Sequence, residues 1–351
     1  MTSRSASLEA RLLVETIEIR PGRHVAVHHR PSSTSKPRIF FVHGSCASML
    51  QVSVTEPSFT VTALPSLPPW RPNRLYLSLP CHHFSLVFSK APLSLRLWQY
   101  EALVAYYAAA GHEVVAYDYL GCGRSPKPRD WYAYSFPELR ADLAAVVARY
   151  GRATQVHGGS EEKKNLLVCH SAGCALALGI VGAAPVEISA PIDGLVLMGA
   201  SFHPKGFKAP SIFYFPALVL GWIQPMLSAG FEALALHAKT LSSVNPERHH
   251  ALQLAQEVNA SNPPYMFKAY YRQLVLPTAD EVRAAGAKVP ILLICGDSDK
   301  LVPRTSTEAL LALLPPGTPI HEVPEASHQL MQEDPRACSA IIDGFLSSGR
   351  F

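Results

Sequence analysis

The sequence predicts an α/β fold: a mostly parallel sheet with helices on both faces and a helical cap inserted late in the chain. Two observations carry this reading. Short apolar runs alternate with segments of helical composition from Arg38 to about residue 202 and again from residue 289 onward, the rhythm of βαβ units. Between about Phe202 and Lys288 the rhythm yields to Pro-rich helical sequence, as an insertion over the C-terminal edge of the sheet would. At 351 residues, 48% hydrophobic and 17% charged, the chain can bury a large core around one such domain.

The elements follow in order. Leu12 to Ile19 alternates and ends at Pro21-Gly22, a turn signal, and Val25 to His28 reads as the partner strand. Arg38 to Val42 is an apolar run closed by His43-Gly44, a buried strand followed by a tight loop. Trp98 to Ala110 is helical in composition and stops at Gly111; Glu113 to Tyr117 is the next strand, followed by the loop Gly121-Cys122-Gly123. Ser135 with Glu138 three residues on resembles a capping box, and Pro137 suits a first turn, so a helix is expected to about Tyr150. Leu166 to Cys169 is a strand leading into a small-residue helix from Ala172. Further strands are expected at Gly194–Met198, Ile291–Cys295 and Ile320–Val323, with helices near Ser306–Leu314 and Asp334–Leu346.

Composition narrows the function classes. A net charge of +4 without any Lys/Arg cluster argues against nucleic acid as partner. Seven cysteines lie scattered from Cys46 to Cys338 with no CxxC pair, which reads as free thiols in a reducing, cytoplasmic compartment. Met1 to Leu13 holds Glu9 and no apolar run, so no secretory signal is expected. The adjacent pairs His28-His29, His82-His83 and His249-His250 lack metal-ligand spacing. Tyr265, Phe267, Tyr270 and Tyr271 read as the inner face of a cap helix. Lys208 to Glu232 encloses a run without charge that is long enough to span a bilayer, but Pro210, Pro216 and Pro225 interrupt it. A buried cap is the simpler reading, and a cap touching a membrane surface the second.

The chemistry concentrates at Leu167-Val168-Cys169-His170-Ser171-Ala172-Gly173. A serine between small residues, after an apolar strand and before a helix, fits a sharp turn that lifts its hydroxyl clear of the backbone. The helix N-terminus adds partial positive charge where an oxyanion would form. A buried serine that merely caps the helix is the plainer alternative. A serine nucleophile needs a base, and the base a carboxylate to fix its tautomer. Gly296-Asp297-Ser298-Asp299 and Ser327-His328 each follow a late strand and supply both, with Asp297 and Asp299 as candidate acids.

Together, His43-Gly44-Ser45-Cys46, Asp118-Tyr119-Leu120-Gly121-Cys122-Gly123-Arg124-Ser125, His170-Ser171-Ala172-Gly173, Gly296-Asp297-Ser298-Asp299-Lys300-Leu301-Val302-Pro303 and His328-Gln329-Leu330-Met331 resemble the successive signatures of the α/β-hydrolase superfamily. They are most similar to its abhydrolase-domain and epoxide-hydrolase-like branch. The resemblance implies Ser171 as nucleophile, His328 as base and Asp299 rather than Asp297 as acid, since the family's acid stands three residues after the glycine. It implies the amides of Ala172 and Ser45 as oxyanion hole, with Cys46 as the neighbouring alternative. Serine at the nucleophile departs from the epoxide hydrolases, which use aspartate. Cys169 stands where the elbow's first glycine is usual. A His-x4-Asp pattern of lipid acyltransferase-like relatives is not matched, because the fifth residue after His328 is Glu333.

One segment fits no part of that pattern. Residues 52–97 are rich in Pro, Leu and Ser with Glu56 their only carboxylate, and Gln51 would read directly into Trp98. A functional lid, a disordered insertion and translated intron all produce such a stretch, and the last is the favoured expectation. The expected organisation is a hydrolase core over 1–202 and 289–351 with a cap over 203–288. The expected function is hydrolysis of carboxylic esters with an apolar or lipid-like acyl part, needing no cofactor or metal. A non-catalytic binding or scaffold member, with its oxyanion loop spoiled by the insertion, and a lipid acyltransferase are the alternatives.

Overall fold

A computed structural model describes residues 13–44, 51–52, 95–96, 99–152, 163–183, 190–204, 206–241 and 262–351. The hairpin β1 (Leu13–Arg20) and β2 (Arg23–Arg30) turns at Pro21-Gly22, where Gly22 takes φ +71°. β3 (Arg38–Val42), β4 (Glu113–Asp118), β5 (Asn165–His170), β6 (Gly194–Met198), β7 (Ile291–Gly296) and β8 (Ile320–Val323) complete an eight-stranded sheet in the order β1-β2-β4-β3-β5-β6-β7-β8. β2 pairs antiparallel with β1 and β4, and the six strands from β4 to β8 are parallel. The fold is therefore the mostly parallel α/β sheet the alternation predicts.

Alternate side chains along these strands feed two cores. Phe40, Val42, Val115, Tyr117, Leu167, Cys169, Leu195, Leu197 and Leu293 point to one face. There they meet α2 (Phe136–Tyr150), α3 (Ala172–Gly182), α6 (Ala279–Lys288) and Leu310 of α7 (Arg304–Leu311). Ile39, Phe41, Val114, Ala116, Leu166, Val168, Val196, Met198, Leu292 and Ile294 point to the other, against α1 (Glu101–Ala109) and α8 (Pro335–Ser347). Strands buried on both faces explain why the sequence shows apolar runs rather than strict alternation after β2.

The Ser135–Glu138 capping box does not form. Ser135 is the N-cap of α2 but makes no side-chain cap bond, and Glu138 instead accepts from Arg20 of β1 at 2.7 Å. A capping box does close α6, where Thr278 accepts from the Glu281 amide and Glu281 from the Thr278 amide. α6 lies inside the 203–288 span expected as cap, but it packs on α3 and contributes Val282 and Ala285 to the core.

α4 (Ala217–Ala235) and α5 (Pro264–Arg272) contact each other, and Tyr265 of α5 donates to the Lys127 carbonyl in the loop after β4 at 2.6 Å. Met266, Ala269 and Tyr270 are buried, with Tyr265, Phe267 and Tyr271 packed beside them on the core. Pro225 interrupts α4, which bends by 44° between 217–227 and 229–235. Among the described residues no single helix is long and apolar enough to cross a membrane; only that bent pair passes together. Of residues 52–97 the structure describes little. Gln51 and Val52 pair antiparallel with Arg96 and Leu95, so the chain leaves and returns at one place.

Candidate active site

Ser171 stands between the end of β5 and the first turn of α3, with φ +50° and ψ −120°. Left-handed backbone at a non-glycine residue costs on the order of 1–3 kcal/mol and persists only where the surroundings enforce it. Here the Ser171 amide donates to the Met198 carbonyl at 2.9 Å, and Ser171 accepts from the Cys174 amide at 2.9 Å. Crowding explains the small neighbours. A Cβ on Gly173 would stand 2.6 Å from the His43 carbonyl oxygen, and one on Gly44 would stand 2.7 Å from His170 Nδ1. Ser171 makes no side-chain cap bond to its helix, so the plainer capping role is not the one the geometry uses.

The Ser171 hydroxyl lies 3.0 Å from Nε2 of His328 instead. Nδ1 of His328 lies 2.8 Å from Oδ2 of Asp299. Oδ1 of Asp299 accepts from the amides of Leu301 at 2.9 Å and Val302 at 2.8 Å. An ionised carboxylate only accepts, so its partner Nδ1 donates, which leaves Nε2 of His328 facing the serine hydroxyl. Both members of the His328–Asp299 pair are buried, while Ser171 is partly exposed. Asp297, the other candidate, accepts from the Glu325 amide at 3.0 Å and from the Ser298 hydroxyl at 2.8 Å; it braces the loop that carries His328.

Ala172 heads α3, where backbone amides have no partner within the helix. Ser45 and Cys46 lie outside the described residues, which end on that loop at Gly44. Among the described residues no group of three or more His, Cys, Asp or Glu side chains is placed to hold a metal ion.

Several residues to which the motifs assign no role surround these three. His170 is buried; its ring packs 4.7 Å from that of His328, and Nε2 lies 2.8 Å from the His328 carbonyl. Burial, then the neighbouring His328, pushes its pKa well below the usual histidine range. Gln99, 1% exposed, accepts from the Gly44 amide at 3.1 Å. Its Nε2 reaches His170 Nδ1 at 2.9 Å and Gln329 Oε1 at 3.1 Å. Glu333 ties residues 237–240 to the loop of His328: it accepts from the amides of His237 and Ser327, each at 2.6 Å, and from the Thr240 hydroxyl at 2.8 Å. The end of α4 is joined to the same loop, the Gln329 amide donating to the Ala235 carbonyl at 3.1 Å. The only sequence signal for Gln329 and Glu333 is their closeness to His328; Gln99 has none.

Residues 96–335 match the family of serine aminopeptidase, S33. The chain is 30% identical to protein ABHD8 of Mus musculus over 261 residues, 72% of this chain and 52% of that protein. It thus spans about half the length of these curated relatives. A thermophilic esterase from Thermogutta terrifontis superposes with a TM-score of 0.63 at 16% identity, covering 97% of this chain and 100% of that one. A bromoperoxidase from Bacillus anthracis also gives 0.63, at 14% identity, covering 95% and 99%. At such identities these two likenesses are of fold.

Proposed function

The chain belongs to the serine aminopeptidase S33 family of the α/β-hydrolase superfamily, and from that premise we propose that it is a serine hydrolase cleaving carboxylic esters with an apolar or lipid-like acyl part. The observation that carries the proposal is the unbroken line from the Ser171 hydroxyl through His328 to Asp299, at 3.0 and 2.8 Å.

In this reading the Ser171 oxygen attacks the ester carbonyl while its proton passes to His328 Nε2. The tetrahedral oxyanion rests on the amide of Ala172 and on that of Ser45 or Cys46. The carbonyl re-forms as the alcohol leaves with the proton from His328, and water, deprotonated by the same nitrogen, releases the acid and restores Ser171. Asp299 holds the imidazole tautomer and balances the imidazolium that forms twice in the cycle. An alcohol in place of water would make the same acyl-enzyme an acyl donor, so hydrolysis and transfer are distinguished by products formed with added acceptor.

A lipid-like substrate is favoured by the cap. Tyr214, Phe215, Leu218, Trp222 and Met226 are all at least half exposed, in a run without charge from 209 to 231. Exposed apolar patches of this kind mark contact surfaces, and the end of α4 touches the loop of His328. This reading has the cap resting on a lipid surface.

The test is a fluorescent fluorophosphonate on the purified full chain, which requires the assembled nucleophile. Labelling is expected in the full chain and absent in Ser171→Ala, where turnover of medium-chain p-nitrophenyl esters falls by roughly 10^4-fold or more. An unlabelled chain would favour the binding or scaffold reading, in which the insertion after Val52 spoils the oxyanion loop.

A further inference from the structure

We propose that Gln99 is a positioning residue that clamps the three loops of the site together and sets the tautomer of His170; the proposal rests on the hydrolase reading above. The directions of its hydrogen bonds need no assumption about tautomers. The Gly44 backbone N–H can only donate, so the atom it meets at 3.1 Å is the amide oxygen of Gln99. The other end is therefore NH2, whose two protons go to Gln329 Oε1 at 3.1 Å and His170 Nδ1 at 2.9 Å. His170 must then be unprotonated at Nδ1 and carry its proton on Nε2. That proton meets a group that only accepts, the His328 carbonyl, at 2.8 Å. Each end of the chain is a backbone group of fixed sense, and every link agrees.

One buried amide thus joins the entrance of the oxyanion loop (Gly44), the residue before the nucleophile (His170) and the residue after the base (Gln329). These loops follow β3, β5 and β8; β3 and β5 adjoin, but β6 and β7 separate them from β8, so strand pairing does not by itself bring the third loop to the other two. The clamp also keeps His170 neutral beside His328, ring to ring at 4.7 Å. A second cation there would oppose the imidazolium that catalysis needs.

Gln99→Met keeps the size and packing of the side chain but removes all three bonds, whereas Gln99→Glu keeps only the acceptor for Gly44. The expected result for Gln99→Met is a kcat lowered roughly 10- to 100-fold on p-nitrophenyl esters with KM held within about twofold, since misplacing a donor or nucleophile costs of this order. Gln99→Glu should show a similar fall, because its carboxylate cannot donate to His170 Nδ1. Nitrogen-15 NMR of the imidazoles, which needs no turnover, should show His170 as the Nε2–H tautomer in the unaltered chain, its Nδ1 resonance shifted in Gln99→Met, where the bond to Nδ1 is lost, and a proton drawn to Nδ1 in Gln99→Glu, whose carboxylate only accepts. A Gln99→Met chain with kcat within threefold and an unchanged His170 signal overturns the proposal. So does a fall in kcat that comes only with a rise in KM and lower thermal stability while the His170 signal stays put. If the unaltered chain neither labels nor turns over, the hydrolase reading fails, and the NMR comparison alone decides whether Gln99 sets the tautomer.

Discussion

Asp297 and Asp299 stand two residues apart on one loop, and the direction of a single carboxylate oxygen separates their tasks. Asp299 spends one oxygen on the amides of Leu301 and Val302 and turns the other to His328, whereas Asp297 spends both on Glu325 and Ser298. Asp299→Asn should lower kcat by about 10^4-fold, because an amide can hold the wrong imidazole tautomer. Asp297→Asn should cost no more than about tenfold, since its amide oxygen can still accept from the Glu325 amide and only one of the two acceptors is lost. Ester turnover by both variants at equal folded fraction decides it, and equal losses would remove the distinction. A loop carrying both aspartates is legible in the sequence; the separation of their roles there rests on a family spacing alone. Ser171 was legible through its small neighbours, since those are what the crowded turn demands. Gln99 was not, because its partners lie 55, 71 and 230 positions away.

At the scale of elements, periodicity was enough for the eight strands, each within a few residues of the expected runs: β3 to β7 are buried throughout and demand continuous apolar stretches, whereas the edge strands β1 and β8 are mostly exposed or half-buried. Helix caps were less legible. Ser135-x-x-Glu138 and Thr278-x-x-Glu281 carry the same pattern, yet only the second closes. The difference is Arg20, 118 positions from Glu138, which captures that carboxylate before it can reach back to its own N-cap. The long uncharged stretch over the cap shows the same limit, since composition alone could not say whether it is covered. In the fold Leu218 and Trp222 are 68% and 75% exposed, one turn apart on α4. Lys205 and Lys208 precede the uncharged run in sequence and Glu232 ends it, so attraction to an anionic lipid surface would come from its N-terminal side. The full chain should therefore co-sediment with phosphatidylcholine–phosphatidylserine vesicles. Leu218→Asp with Trp222→Asp should weaken that binding by about a hundredfold or more, at roughly 1.5–3 kcal/mol per apolar side chain removed, with thermal stability unchanged because both positions face solvent. Co-sedimentation equal to that of the unaltered chain would detach α4 from any lipid contact.

Over the whole molecule, alternation of strand and helix implies parallel pairing but not the crossover that places β4 between β2 and β3. That order is set by contacts such as the one at the start of β3. Arg38 and Lys163, both buried, meet Glu113 at 2.9 and 3.0 Å, with His29 at 3.0 Å. Burial alone would raise the Glu113 pKa, but hydrogen bonds from His29, Arg38 and Lys163 and the charge of Arg38 outweigh it and hold the pKa at about 2. Three histidines behave in the opposite chemical sense: burial pushes His43, His112 and His170 below the usual 6.5. The two effects give stability the same slope in two pH windows. Below about 6.5 the unfolded chain protonates these histidines while the folded chain does not. It therefore binds more protons, and stability falls as pH falls, by up to about 1.4 kcal/mol per pH unit for each histidine. Between about 4.5 and 2 the unfolded chain protonates Glu113 while the folded chain keeps it ionised, and a further ~3 kcal/mol is lost. Urea midpoints at pH 7.5, 6.5, 5.5, 4.5 and 3.5 should accordingly be level at the top and decline from 6.5 downward. Glu113→Gln, which leaves Arg38 and Lys163 buried without their carboxylate, should be less stable at pH 7 by about 3–5 kcal/mol and lose less than the unaltered chain between pH 4.5 and 3.5. A midpoint that holds level from pH 7.5 to 5.5 would mean that the buried histidines are reached by protons in the folded chain, and the ring-to-ring arrangement of His170 and His328 would have to be read again.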